Sequence, residues 1–290
     1  LRVRVSAPAK VNLFLHVNGK RDDGYHLLDS VVVFPQGIED RITIEDASQF
    51  TFAAVGEFQK DFTAADLSSA STSGNLAVQA AYAYAKVAKV RLSCSLILEK
   101  NIPLGAGLGG GSADAAGTIR ALEQFYGIPL EEGLRNGLLL KLGADVPVCY
   151  TMRSSRFQGI GEKITPVKLL PIFIVLAWPK KMSLTKNVFA RFGGEYKSPV
   201  AMPAAFANQN ALIDFLKTQS NDLTDAAEHL APEIKTARDL MAGQSGCLLA
   251  RMTGSGACVF GLFTDHALAS AAQSAIRAAQ PSWWVRNGEI

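Results

Sequence analysis

Apolar and polar residues alternate along VRVSAPAKVNLFLHV (3–17) as they do in a strand, and the alternation is interrupted near Pro8. Beyond the interruption the period of two puts Val11, Leu13 and Leu15 on one face. Lys10, Asn12, Phe14 and His16 fall on the other. DDGYH (22–26) reads as a turn, and SVVVFPQ (30–36) and DRITIED (40–46) as a second and a third strand. The chain therefore opens with a meander and not with a strand–helix–strand unit. Residues 46–74 carry no period and are rich in Ser, Thr and Ala, so this stretch is expected to be irregular.

Helical spacing begins in NLAVQAAYAYAKVAK (75–89), and LSCSLILEK (92–100) is a strand. SADAAGTIRALEQFYG (112–127) is expected to be a helix capped by Ser112 and stopped near Gly127, with a further helix over 130–143. PIFIVLAWP (171–179) reads as a buried strand. A Gly- and Pro-containing stretch runs from there to about 208, and helical segments lie between 209 and 243. CLLARMTGSGACVFGLF (247–263) is two strands joined by TGSG, and DHALASAAQSAIRAA is a closing helix. Strands and helices mix without βα alternation, which predicts an α+β protein in two parts, 1–158 and 159–290.

Composition narrows the function classes. The chain has 290 residues, long enough for two compact domains, and a formal net charge of only +3 with no run of Lys or Arg. That balance favours a phosphate-bearing small molecule over nucleic acid as partner. Cys94, Cys149, Cys247 and Cys258 form no CxxC pair, and most sit in apolar surroundings. Free thiols in a reducing cytoplasm are the expectation. No apolar run reaches the roughly 20 residues that span a bilayer, so no membrane association is expected.

The stretch PLGAGLGGGSAD (103–114) carries the most chemistry. Its glycines cannot serve a stable helix or strand interior, where each costs about 1 kcal/mol against alanine. Between a strand and a helix start, such a loop offers bare backbone N–H groups to an anion. Gly105, Gly107 and Gly110 also satisfy GxGxxG, the dinucleotide fingerprint. However, Asn101–Leu104 separate the strand from the first glycine, and residues 120–140 lack the second strand ending in an acid that a dinucleotide site requires. No GxxxxGK[ST] loop and no HRD or DFG element occurs.

PLGAGLGGGSADAAG resembles the phosphate-binding motif of the GHMP small-molecule kinases, and RMTGSGACVF (251–260) resembles their carboxy-terminal motif. SAPAKVNLFLHVNGKRDDGYH, LGADVPV (142–148) and GIGEKITPV (159–167) are similar to the branch acting on a cytidine-diphosphate-linked methylerythritol in the non-mevalonate isoprenoid pathway. The resemblance runs from about residue 6 to 263. It implies a ribosomal-protein-S5-like amino-terminal domain, a ferredoxin-like carboxy-terminal domain and an active site in the cleft between them. It also implies ATP as co-substrate, Mg²⁺, and transfer of the γ-phosphoryl group to the tertiary 2-hydroxyl of the methylerythritol moiety.

By the same resemblance Asp145 and Lys10 are the catalytic pair. From the residues alone, Asp145 before Pro147 also reads as a helix N-cap, a role compatible with the catalytic one, and Lys10 on an apolar strand needs either a partner, a phosphate or an exit to solvent. The implied ATP site comprises Asn75, Lys100, Pro103, Leu104, Gly105, Ala106, Gly107, Leu108, Gly109, Gly110, Gly111, Ser112 and Ala113; Asn75 also reads as a plain N-cap. Asn12 and Thr185 are implied substrate contacts. Tyr25 and His26 would hold the cytosine end, with Phe189 as the opposing ring, and each alone could be ordinary packing. Asp114 beside phosphates would be repulsive unless it met magnesium or a backbone N–H. The turn 253–256 could be a simple hairpin or could bring N–H groups to the substrate. One departure stands out: Lys180 occupies a position where these kinases commonly have glycine.

Overall fold

The strand interruption at Pro8 is where the chain changes sheets. In the computed structural model, which describes all 290 residues, Arg2–Pro8 (β1) and Val11–Lys20 (β2) are separate strands, and they pair with different partners. β1 lies antiparallel to Glu39–Asp46 (β4), whereas β2 lies antiparallel to His26–Val33 (β3). The chain accordingly forms two compact units that interleave along the sequence. One comprises Leu1–Ala9, Glu39–Leu104 and Gly109–Met152; the other comprises Lys10–Ile38, Gly105–Leu108 and Arg153–Ile290. A single cut between 158 and 159 does not separate them, because β3 pairs forward with Ser155–Gly159 (β7).

The first unit is built on a four-stranded sheet of order β1–β4–β6–β5, where β6 is Cys94–Glu99 and β5 is Thr51–Val55. β5 runs parallel to β6 and lies inside the stretch the sequence left irregular. Only five residues long and an edge strand, it has too little alternation to announce itself. Leu76–Ala88 (α1), Gly110–Tyr126 (α2), Glu132–Leu142 (α3) and Val146–Thr151 (α4) complete the unit. α2 is buried on most of its circumference and packs on β1 and β4. Gly117 makes that approach possible, since a Cβ there would lie 3.1 Å from Ile42 Cγ1 and 3.4 Å from Ala7 Cβ. Ile42, Ile44, Leu96, Leu98 and Ile119 are fully buried in this core, each worth about 1.5–3 kcal/mol.

The second unit holds two antiparallel sheets. One has the order β2–β3–β7–β8, with β8 at Lys163–Pro166. The other has the order β10–β11–β9–β12, formed by Leu249–Met252, Val259–Phe263, Phe173–Trp178 and Trp284–Glu289. Glu233–Ala242 (α8) and His266–Ala279 (α9) pack on this last sheet. Thr185–Arg191 (α5), Gln209–Lys217 (α6) and Thr224–Leu230 (α7) complete the unit. β7, β8 and β12 have no counterpart in the sequence reading, because they are short and mixed in polarity. All four cysteines are free thiols, and no helix is long and apolar enough to cross a membrane.

β2 also departs from simple alternation. Asn12 pairs with Val32 but Phe14 with Val31, a bulge that leaves Leu13 without a partner. Phe14 and His16 therefore leave the face of Asn12, while Leu15, opposite Ser30, joins it. The expected grouping of faces holds only up to the bulge.

Candidate active site

Within the second unit, the carbonyls of the glycine loop are pinned. Lys10 N–H donates to Leu108 O (2.8 Å), Cys258 N–H to Ala106 O (3.0 Å) and Ser183 N–H to Gly105 O (2.9 Å). The loop also meets the turn Thr253–Gly256 backbone to backbone. A Cβ on Gly107 (φ +77°) would lie 2.6 Å from Gly256 O and 2.8 Å from Thr253 O, and one on Gly254 would lie 2.7 Å from Gly107 O. Neither contact survives a side chain. The turn is thus more than a hairpin connection: it is packed face to face with the loop.

In the first unit, α2 begins at Gly110, with Gly109 in the left-handed region (φ +63°) as the preceding cap. This corrects the sequence expectation that Ser112 caps the helix. Ser112 stands in the first turn instead, because Gly109 can adopt the positive φ that starts the helix earlier. The N–H groups of Gly110, Gly111 and Ser112 have no intrahelical acceptor, and the helix dipole adds partial positive charge there. A Cβ on Gly111 would meet nothing within 4 Å, so the helix mouth is open at that point. The Ser112 hydroxyl makes no hydrogen bond within the protein, while Pro103, Ala106, Leu108 and Ala113 are buried supports and Leu104 is half-buried.

Lys10, only 4% exposed, donates from Nζ to Asn12 Oδ1 (2.8 Å). Asn12 donates from Nδ2 to Ser30 Oγ (2.7 Å) and from its backbone to Thr253 Oγ1 (2.8 Å). Lysine and asparagine are thereby fixed relative to the 253–256 turn. Asp145 does occupy the N-cap position of α4, with Pro147 in the first turn, yet its carboxylate makes no capping hydrogen bond. α4 is secured from α2: Arg120 donates to the Cys149 and Tyr150 carbonyls (3.0 and 3.1 Å) and to Ser6 O on β1 (2.5 Å).

His26 and Phe189 are brought together and stack on each other, with centroids 4.9 Å apart and planes 25° apart. Burial, aided by Lys20, holds the His26 imidazole below its ordinary value and hence neutral at pH 7. Tyr25 stays 59% exposed. Thr185 starts α5 and shares a 2.9 Å hydrogen bond with Ser255 Oγ, while Ser183 Oγ donates to Ser255 O (2.8 Å). Lys180 adopts φ +56°, the conformation glycine takes freely, so the loop keeps a glycine-like path at a cost in strain.

Lys100 is 2% exposed, and its ammonium lies 2.5 Å from Asp40 Oδ2 and 2.7 Å from Asp114 Oδ2. Asp114 thus meets a buried lysine. Burial alone would lower the Lys100 ammonium, but the Asp114 and Asp40 carboxylates outweigh it and raise it. Asp40 accepts two further backbone bonds, from Asn101 (2.5 Å) and Ile102 (2.8 Å), whereas Asp114 Oδ1 is buried without a partner. Burial therefore pushes the Asp114 carboxyl well above the ordinary range, against the pull of Lys100. The cluster lies under the start of α2, where a Cβ on Gly110 would stand 2.9 Å from Lys100 Nζ. Asn75 is the N-cap of α1, accepting from Ala77 N–H (2.9 Å). Sequence reasoning missed Asp40, Ser30 and Asn221; Asp40 looks like one more charge on an alternating strand, and Asn221 lies in an aperiodic connection.

Profiles of two domains match the chain: the GHMP kinases N terminal domain over residues 75–153 and the GHMP kinases C terminal domain over residues 201–282. A Cereibacter sphaeroides protein named 4-diphosphocytidyl-2-C-methyl-D-erythritol kinase is 41% identical over 98% of both chains. The chain belongs to this family of GHMP kinases. A crystal structure of 4-(cytidine 5'-diphospho)-2C-methyl-D-erythritol kinase, 31% identical, superposes with a TM-score of 0.80 over 99% of this chain and 98% of that one. Homoserine kinase from Cytophaga hutchinsonii, at 14% identity and a TM-score of 0.65 over 99% and 94%, shares the fold. As a GHMP kinase the chain is a small-molecule kinase of the α+β two-domain type.

Two measurements check this geometry. Lys100→Met leaves two buried carboxylates without their cation and should cost about 3–5 kcal/mol in urea denaturation. Asp114 is raised in the folded state, so its contribution to stability is full below the ordinary carboxyl value of about 4 and is lost as pH rises through the raised value. Asp114→Asn, neutral at every pH, should gain on the wild type across that window. Separately, Lys180→Gly should raise stability by about 1 kcal/mol by relieving its left-handed backbone; no change in the denaturation midpoint would contradict that strain.

Proposed function

We propose that this chain transfers the γ-phosphoryl group of ATP to the 2-hydroxyl of 4-diphosphocytidyl-2-C-methyl-D-erythritol. The observation that carries the reading is the start of α2, open at Gly111, where first-turn N–H groups follow a glycine loop whose carbonyls are already committed. A triphosphate fits that combination of bare amides and helix dipole. The acceptor comes from the near full-length relatives and their name.

In this reading Asp145 orients the acceptor hydroxyl and takes its proton, and the Lys10 ammonium offsets charge on the transferring group. Catalysis comes chiefly from placing two polyanions in line, since a loose phosphoryl-transfer transition state needs position more than early proton removal. Asn12 and Thr185 contact the polyol. Tyr25, His26 and Phe189 take the cytosine ring, for which His26 must part from Phe189.

Magnesium calls for no dedicated protein cage: no group of three or more His, Cys, Asp or Glu side chains converges, and Mg²⁺ in phosphoryl transfer commonly takes one or two protein oxygens beside phosphates. The unpartnered Ser112 hydroxyl in the first turn of α2 fits as such a ligand. When bound with the nucleotide, the ion neutralises charge on the triphosphate.

Incubation with ATP, Mg²⁺ and a panel of alcohols, including homoserine and mevalonate, should release ADP only with the cytidylyl-linked polyol. Asp145→Asn should bind ATP nearly as the wild type does yet lose turnover by about two orders of magnitude or more; full turnover removes Asp145 from the chemistry. Phe189→Ala should raise the KM for the polyol substrate several-fold and leave that for ATP unchanged.

A further inference from the structure

Between α6 and α7 the chain runs through Ser220, Asn221 and Asp222, a segment without helix or strand that lies against the edge of β2. Leu15 N–H donates to Ser220 O (3.0 Å) and Asp222 N–H donates to Leu15 O (2.9 Å), so the segment runs alongside the strand that carries Asn12. Asp222 tightens the attachment by accepting from Val17 N–H (3.0 Å) through Oδ2. Asn221, 5% exposed, faces the other way. Its Nδ2 donates to Met252 O (2.9 Å) and Gly254 O (2.8 Å), and its Oδ1 accepts from Leu223 N–H (3.0 Å).

Two bonds from one buried amide thus hold the backbone on both sides of Thr253, and the third ties that amide to the start of α7 through Leu223. Thr253 accepts from Asn12 N–H through its hydroxyl, and its carbonyl is one of the atoms against which Gly107 packs. Only an amide supplies two donors and one acceptor in this arrangement; a carboxylate would set an oxygen against two carbonyl oxygens. We propose that Asn221 is a positioning residue for phosphoryl transfer, locking the 252–254 backbone so that the glycine loop and Asn12 stay in register. This deepens the kinase reading and rests on it.

The consequence falls on turnover more than on ground-state binding. A shift of the turn by a fraction of an ångström displaces Asn12 and Gly107 together, and misplacement of about 1 Å is worth on the order of 100-fold in rate. Neither the glycine loop's own carbonyl bonds nor the open mouth of α2 depends on the Asn221 amide, so nucleotide binding is expected to persist.

The test compares wild type, Asn221→Asp and the smaller Asn221→Ser by steady-state kinetics with both substrates, thermal unfolding and amide hydrogen exchange. Wild-type turnover of the cytidylyl substrate checks the kinase reading by itself; without it that reading fails, and exchange still judges the lock. The proposal expects Asn221→Asp to lose about 10–100-fold in kcat, with both KM values within about threefold of wild type, and Asn221→Ser to lie between. It also expects faster exchange confined to residues 252–257. A kcat within twofold of wild type in a folded variant, a loss explained by the unfolded fraction, or unchanged exchange at 252–257 overturns it. Should Asn221→Asp not fold, Asn221→Ser decides on the same criteria.

Discussion

The arrangement turns on a backbone-to-backbone contact that admits no side chain. Gly107 and Gly254 lie against one another's neighbouring carbonyls at distances where a Cβ would stand less than 3 Å from an oxygen. Through this contact the glycine loop touches the 253–256 turn, and the turn in its turn holds Asn12 through Thr253. Lys10 is tied in twice, by its backbone to Leu108 and by its ammonium to Asn12. In the proposed function the loop needs exposed amides and also rigidity; its carbonyls are committed, and the start of α2 is open at Gly111.

The same division of labour governs the charges. Lys100 lies under the start of α2, but its ammonium is spent on Asp40 and Asp114 and is sealed from solvent. Its charge is therefore committed to two carboxylates inside the protein. Lys10 differs in kind: it is buried against the polar side chain of Asn12, on the strand that faces the 253–256 turn. Two lysines that look alike in sequence thus serve the support of a helix and the candidate chemistry, respectively.

What the sequence made legible was whatever is local. Strand alternation, the break at Pro8, the helical spacing of α1 and α2 and the glycine loop each arise from neighbours along the chain, so each could be read from it. The motifs PLGAGLGGGSADAAG and RMTGSGACVF carried the family, because bare backbone at close approach leaves a compositional trace. Lys180 was legible as a departure, and its positive φ gives the physical reason: a lysine there bears the strain a glycine would not.

Tertiary structure alone decided what depends on partners distant in sequence. The pairing of β3 with β7 sets the interleaved units, and no local pattern encodes which of several similar strands will meet. Ser112 yielded the cap to Gly109 because the loop's path, not the residue's propensity, chose where the helix starts. Asp114 found Lys100 and Asp40, and Asn221 found the carbonyls on either side of Thr253, across separations of 14 to 74 residues or across an unpatterned connection. Sequence determined which chemistry the chain could offer; burial and long-range hydrogen bonding determined which of those groups, Lys100 and Asp114 among them, are spent on holding the structure together.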